Sequence, residues 1–221
     1  MLTAIFMKAD QMDTSKADAF RGWAKLLHPK ALKSNLVTAA LFLISYEVLM
    51  QSIVKRLKDF CCFGEDGETT GPTYRREVLA LHKNKVTASL LWLKGSDAVD
   101  DADIALVNQI RKHRNDLAHE MPKFLASSGS EIDVKLLVSM HDLICKIDRW
   151  WIREVEIPIN PDFAGKEIDD SEIQSGNMIM LSIMLRAAVG DEDKAMKQYE
   201  TFIEMAERQM AADSQRDGRS E

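Results

Sequence analysis

The feature that most constrains the fold is an apolar stretch at residues 36–54, LVTAALFLISYEVLMQSIV. As a helix it is nearly long enough to cross a membrane. However, Glu47 and Gln51 lie inside it, and a charge at membrane depth costs about 2.5–3.5 kcal/mol. We therefore expect the buried central helix of a protein without a membrane span, running from about Leu32 to about Phe60.

Turn-forming residues are scarce, which favours long helices. Only five prolines and ten glycines occur among 221 residues. The 46% hydrophobic content is sufficient for a substantial core. Strict alternation of apolar and polar residues is absent, which argues against a β-sandwich or barrel. The sequence thus predicts an all-α fold.

The cysteines and the first residues favour a cytoplasmic location. Cys61, Cys62 and Cys145 are odd in number and form no CxxC pair, so neither a disulfide framework nor a zinc site is expected. The first 13 residues lack the basic lead and long apolar run of a signal peptide. We expect reduced thiols and no metal or other cofactor.

Charge divides the chain into two parts. Residues 154–221 contain 16 acidic and 7 basic residues, a net of −9, which leaves +3 on residues 1–153 out of a total of −6. The body can approach a polyanion, whereas the C-terminal third would repel one.

We predict two parts: a helical bundle at residues 1–156, and at 157–221 a linker with an acidic helical hairpin and a disordered tail. The hairpin is rich in methionine, which suits either a docking surface or ordinary core packing. The expected helices lie at about 14–27, 32–60, 73–93, 103–120, 130–156, 171–189 and 192–211, and the loops or linkers at 63–72, 96–101, 126–130 and 157–165.

One short motif carries reactive side chains: Arg114-Asn115-Asp116-Leu117-Ala118-His119. At 100° per residue, Arg114, Asn115 and His119 fall within about 140° on one side of a helix. Arg111 lies on the same side and could bind RNA backbone.

This combination suits phosphodiester chemistry. Histidine can act as general base and acid near neutral pH, and arginine offers a planar fork that stabilises phosphate charge. Asn115 can orient either group. From spacing alone, a surface ion pair or a C-terminal helix cap is the favoured interpretation of Arg114 and His119.

The motif resembles the signature of the HEPN superfamily, an Arg, usually followed by Asn, with His four to six residues later. Here Arg114-Asn115 precedes His119, and the motif closes a helix that follows a long apolar one. The resemblance covers about residues 30–156. It implies an antiparallel helical bundle that dimerises through its motif helices.

Active members of that family cut RNA without metal, leaving a 2′,3′-cyclic phosphate and a 5′-hydroxyl. The resemblance implies that Arg114, Asn115 and His119 are catalytic and that RNA is the substrate. Many members are toxins or anti-phage effectors, so an antitoxin or regulatory protein is an expected type of partner. The toxin branch controlled by tyrosine modification carries Tyr two residues after the His, where this chain has Met121.

Two other classes of function stay open. A non-catalytic HEPN scaffold would bind nucleotide, RNA or a partner protein without turnover. An unrelated helical adaptor would carry the motif by coincidence.

Glu47, in the apolar helix, is expected to be buried and to orient Arg114 or Arg111, or to form a structural ion pair. Trp150 and Trp151 are expected in the core or an interface, with base stacking as the lesser alternative. The basic segment Tyr74–Lys94 could contact phosphates or simply face solvent.

Overall fold

The computed structural model describes residues 14–62, 71–127, 130–163, 165–166, 168–190, 196–197, 200–201 and 203. Throughout these residues the ordered elements are helical, which confirms the all-α prediction. The α-helices are α1 Thr14–Leu27, α2 Pro29–Met50, α3 Arg56–Cys61, α4 Pro72–Glu77, α5 Lys85–Gly95, α6 Asp101–His119, α7 Met121–Ala126, α8 Val134–Trp151, α9 Ile157–Ile159 and α10 Gly176–Val189.

The long apolar segment forms one continuous helical rod. It begins where the His28 side chain accepts a hydrogen bond from the Ala31 N–H and Pro29 occupies the first turn. A π-helical turn, Gln51–Lys55, joins α2 to α3. The rod packs against α8, α6 and α5, so the predicted central helix is confirmed.

Although its middle is apolar almost all the way round, this helix is buried on one face only. One face of α2, which includes Leu41, Phe42 and Leu49, is buried in the core. On the other face Leu36, Val37 and Ile44 are 41–46% exposed. Periodicity could not separate the two faces, because both are apolar.

By length and composition alone, Pro29–Cys61 could cross a membrane, with a mean hydropathy of 1.7 in its most apolar stretch. Of that stretch, 44% is buried inside the protein. The core helix of a soluble protein passes the same test.

The predicted helix 73–93 is interrupted. After α4 the chain makes a 3₁₀ turn at Leu79–Leu81, and His82 is extended. Asn84 then caps α5, because its side-chain oxygen accepts hydrogen bonds from the N–H groups of Val86 and Thr87. The segment therefore forms two helices, α4 and α5, where the sequence pattern predicted one.

Smaller corrections concern helix ends. The helix predicted from residue 130 begins at Val134, where Asp133 caps α8 by accepting from Leu136 N–H. The predicted linker 157–165 contains α9 and a 3₁₀ turn, Pro161–Phe163. The helix predicted from Ser171 begins at Gly176.

By internal packing the chain divides into two units, Met1–Leu181 and Ser182–Glu221. The predicted boundary after residue 156 and the predicted hairpin stay predictions. The N-terminal segment 1–13, most of the loop 63–72, most of the second hairpin helix and the tail lie outside the described residues.

Candidate functional site

The motif lies at the C-terminal end of α6, a helix firmly fixed at both ends. Asp100 and Asp103 form a reciprocal capping box at its start, and Lys146 of α8 pairs with both carboxylates. The hydrogen bond from the Asp103 N–H, and then Lys146, lower the pKa of Asp100. Pro122 opens the next helix, α7, in its first turn, and α6 ends at His119, one residue before the predicted end.

Three side chains surround the guanidinium of Arg114. Its Nη2 lies 3.6 Å from Oε1 of Glu47, and its Nη1 donates to Oδ1 of Asn115 at 3.4 Å. Its Cζ lies 5.0 Å from the ring centre of Tyr46. The Nε atom is buried without a hydrogen-bond partner among the described residues.

The expected burial of Glu47 was wrong, although its expected proximity to Arg114 is present. The Glu47 side chain is 63% exposed, and that of Arg114 is 34% exposed. Glu47 lies on the outward face of α2, where solvent satisfies its charge, so no buried partner is needed.

His119 and Asn115 are exposed at the helix end. Arg114 and His119 are separated by about 7.5 Å along the helix axis, given a rise of about 1.5 Å per residue. Among the described residues the His119 side chain has no hydrogen-bond partner, and Arg111, half-buried, forms no ion pair. The structure thus brings Arg114, Asn115 and Glu47 together and leaves His119 facing solvent.

His113, next to Arg114, points inward and fixes the helix in the fold. Its ring packs against Phe42, at 4.8 Å between ring centres, and Phe124, at 5.6 Å. Its Nε2 accepts a hydrogen bond from the Asp133 N–H at 3.2 Å. Burial lowers the pKa of His113, and the carboxylates of Asp133 and Asp116 partly oppose this.

Tyr46 was not anticipated from the sequence. Its signal was present, because Tyr46-Glu47 is the polar break in an otherwise apolar helix. Nothing in the sequence, however, indicated which distant helix that break would face.

A second polar centre, around Asp148, was not predicted from the sequence. The carboxylate of Asp148 is fully buried and accepts hydrogen bonds from Ser52 at 2.8 Å and Ser175 at 2.5 Å. Arg56 reaches the same carboxylate at 3.4 Å and pairs with Glu156. A mainly apolar cavity of about 570 Å³ opens beside Arg56 and Trp151.

The tryptophans belong to an aromatic cluster. Trp151 is 1% exposed and stacks on Trp92 with 6.3 Å between ring centres, so it is not open to a nucleobase. Trp150 is half-buried against the same two rings.

In the basic segment, Arg76 pairs with Glu77 and Lys94 with Asp101.

Over the described residues, no group of three or more His, Cys, Asp or Glu side chains is arranged to hold a metal ion. Comparisons of the chain with protein-family models, with curated proteins and with solved structures found no match. The HEPN resemblance therefore rests on residues 114–119 and on the position of their helix.

Proposed function

We propose that this protein is a metal-independent endoribonuclease of the HEPN type. The observation that carries the proposal is the exposed end of α6. There Asn115 and His119 face solvent on the same helix as Arg114, whose guanidinium lies over the Tyr46 ring and loosely faces Glu47. A cation and an imidazole at the same solvent-facing end of a helix are the kinds of group that phosphodiester cleavage uses.

In this mechanism the 2′-oxygen of the RNA attacks the adjacent phosphorus, and the bond from phosphorus to the 5′-oxygen breaks. His119 takes the proton from the 2′-hydroxyl, or supplies one to the leaving 5′-oxygen. Arg114 stabilises the charge that grows on the phosphate oxygens. Asn115 positions the guanidinium through its side-chain oxygen.

We further propose that the enzyme is a homodimer. The exposed apolar residues of α2 form a continuous strip, the α2 stripe, consisting of Leu36, Val37, Ala40 and Ile44. Glu47 continues the stripe by one turn toward the motif. A second copy covering the stripe would bring two motifs together, so one His119 could act as base and the other as acid.

The biological setting we propose is a cytoplasmic toxin or anti-phage effector, controlled by an antitoxin or another regulatory protein. The acidic C-terminal third supports such control, because its charge of −9 would repel RNA. A regulator need only change the placement of this segment, or cover the motif.

A second candidate is a non-catalytic HEPN scaffold. The observation that favours it is that Arg114 is already paired with Glu47, as a purely structural ion pair would be. Such a scaffold would bind nucleotide, RNA or a partner protein without turnover.

The test is incubation of the purified protein with labelled single-stranded RNA in EDTA. We expect the parent to produce cyclic-phosphate ends, and His119→Ala and Arg114→Ala to lose at least about 10²-fold in rate, as general acid–base catalysis and charge stabilisation imply. His82→Ala and Arg149→Ala are the matched controls, because these two residues lie outside the motif and Arg149 is exposed outside the basic segment.

Unchanged cleavage by both motif variants would contradict the mechanism. If the parent binds RNA but never cleaves it, the scaffold becomes the better description.

A further inference from the structure

The guanidinium of Arg114 lies across α2 between two consecutive residues. Tyr46 supports it from the ring face at 5.0 Å, and Glu47 faces its outer Nη2. Consecutive helical residues point about 100° apart, so the two side chains contact different parts of the guanidinium. Tyr46 is half-buried, whereas Glu47 is mostly exposed.

The contact with Glu47 is loose. Its 3.6 Å separation exceeds the 2.7–2.9 Å of a charge-assisted hydrogen bond. An exposed ion pair is strongly screened by solvent and contributes little. The guanidinium edge that faces Glu47 is therefore available to a better anion, and a phosphate group can accept two parallel N–H bonds there.

The contact with Tyr46 is of another kind. An aromatic ring attracts a guanidinium through its face without using any N–H donor. It can hold Arg114 in one orientation while the anion at the outer edge changes. The Asn115 oxygen, at 3.4 Å from Nη1, restrains the same group from its own helix.

Resting on the ribonuclease proposed above, we propose that Glu47 occupies the phosphate position of Arg114 and is displaced by RNA. Tyr46 is the positioning residue that keeps the guanidinium in place during this exchange. The ligand is a phosphodiester of a single-stranded nucleic acid. Glu47 then competes with phosphate for Arg114 and lowers the affinity of Arg114 for polyanions.

A competitor and a residue that merely orients Arg114 predict opposite results. If Glu47 competes, Glu47→Gln removes the negative charge and strengthens binding. If Glu47 only orients Arg114, the same change loosens the guanidinium and weakens binding.

The experiment measures fluorescence anisotropy of the full-length protein with a labelled single-stranded DNA at low salt. DNA lacks the attacking 2′-hydroxyl, so binding is measured whether or not RNA is cleaved. We expect Glu47→Gln to lower the Kd about two- to fivefold, the range for loss of an exposed ion pair. The gain should vanish in the Arg114→Ala background and at high salt.

Glu77→Gln is the matched control, because it removes an exposed carboxylate that pairs with Arg76 instead. An equal gain in this control, an unchanged or weaker affinity of Glu47→Gln, or a gain that persists without Arg114 would overturn the competitor role. Absence of RNA cleavage, with the gain intact, would count against the ribonuclease and leave phosphate exchange standing.

Tyr46 is tested with a conservative pair of variants. Tyr46→Phe keeps the ring and should bind like the parent, whereas Tyr46→Leu should bind about two- to fivefold more weakly. Because Tyr46 is half-buried, circular dichroism must show that Tyr46→Leu is folded at the assay temperature. Equal binding by the two variants, or a loss that persists in the Arg114→Ala background, would show that Tyr46 does not act through Arg114.

Discussion

At the scale of single residues, the neighbours His113 and Arg114 in α6 have different roles. Arg114 faces outward with a loosely held carboxylate, whereas His113 faces inward between two phenylalanine rings. His113 must be neutral to accept the hydrogen bond from the Asp133 N–H. Protonation removes that acceptor and places a charge between apolar rings.

This arrangement predicts a pH-dependent stability. The pKa of His113 is lowered by burial from 6.5. The unfolded chain therefore takes up a proton before the folded one does. His113 favours folding fully above about pH 6.5, and that contribution falls as the pH drops from 6.5 through the lowered pKa.

The check is urea unfolding of the parent and of His113→Gln between about pH 7.5 and 5. We expect the parent to lose more stability across this range than the variant, even if the variant is less stable at pH 7.5. Parallel curves for the two proteins would show that His113 does not titrate on unfolding.

At the scale of elements, α1 is attached to α7 by unusually close packing. Gly22 lies so near the end of α7 that a Cβ atom there would overlap the carbonyl oxygen of Ala126. Lys25 of the same helix donates to the carbonyl oxygens of Phe124, Ser127 and Ser130. These bonds satisfy acceptors left open where α7 ends.

We predict that Gly22→Ala destabilises the protein by about 1–3 kcal/mol, because backbone cannot yield as a flexible side chain can. Gly95→Ala is the matched control, since a Cβ there meets nothing within 4 Å. It should be neutral or stabilise by up to about 1 kcal/mol, because alanine favours helix over glycine. Urea unfolding at fixed pH measures both changes, and an equal effect of the two substitutions would contradict the close approach.

At the scale of the whole molecule, the α2 stripe is an exposed apolar surface that needs an explanation. Its three largest residues are exposed although each would favour burial by about 1.5–3 kcal/mol. Glu47 and Arg114 lie at its end. A homodimer through this stripe would place the dimer interface next to the candidate active site.

We expect the parent to sediment at about twice the 25.0 kDa chain mass. Ile44→Lys should sediment as a monomer and lose RNA cleavage, because a charge would be forced into the apolar contact. Ile159→Lys is the matched control, since Ile159 is 76% exposed and lies outside the stripe. A monomeric parent, or a dimeric Ile44→Lys variant, would exclude the α2 stripe as the interface.

Much of the secondary structure was predictable, because helix formation depends on residues within about four positions of each other. The central rod and the α6 motif helix, which ends within one residue of the predicted position, follow from local pattern. The same local rules placed Arg114, Asn115 and His119 on one face. Local rules did not predict the break before α5, where Asn84 begins a new helix.

Tertiary structure alone decided which face of α2 is buried, because apolar residues surround most of that helix and only its contacts with the neighbouring helices, α8, α6, α1 and α7, distinguish the faces. It also decided that Glu47 is exposed, that Tyr46 supports Arg114 and that Asp148 is buried beside Ser52. Each of these contacts joins residues far apart in the chain. Their energies depend on the packing of whole helices, which neighbouring residues in a sequence do not specify.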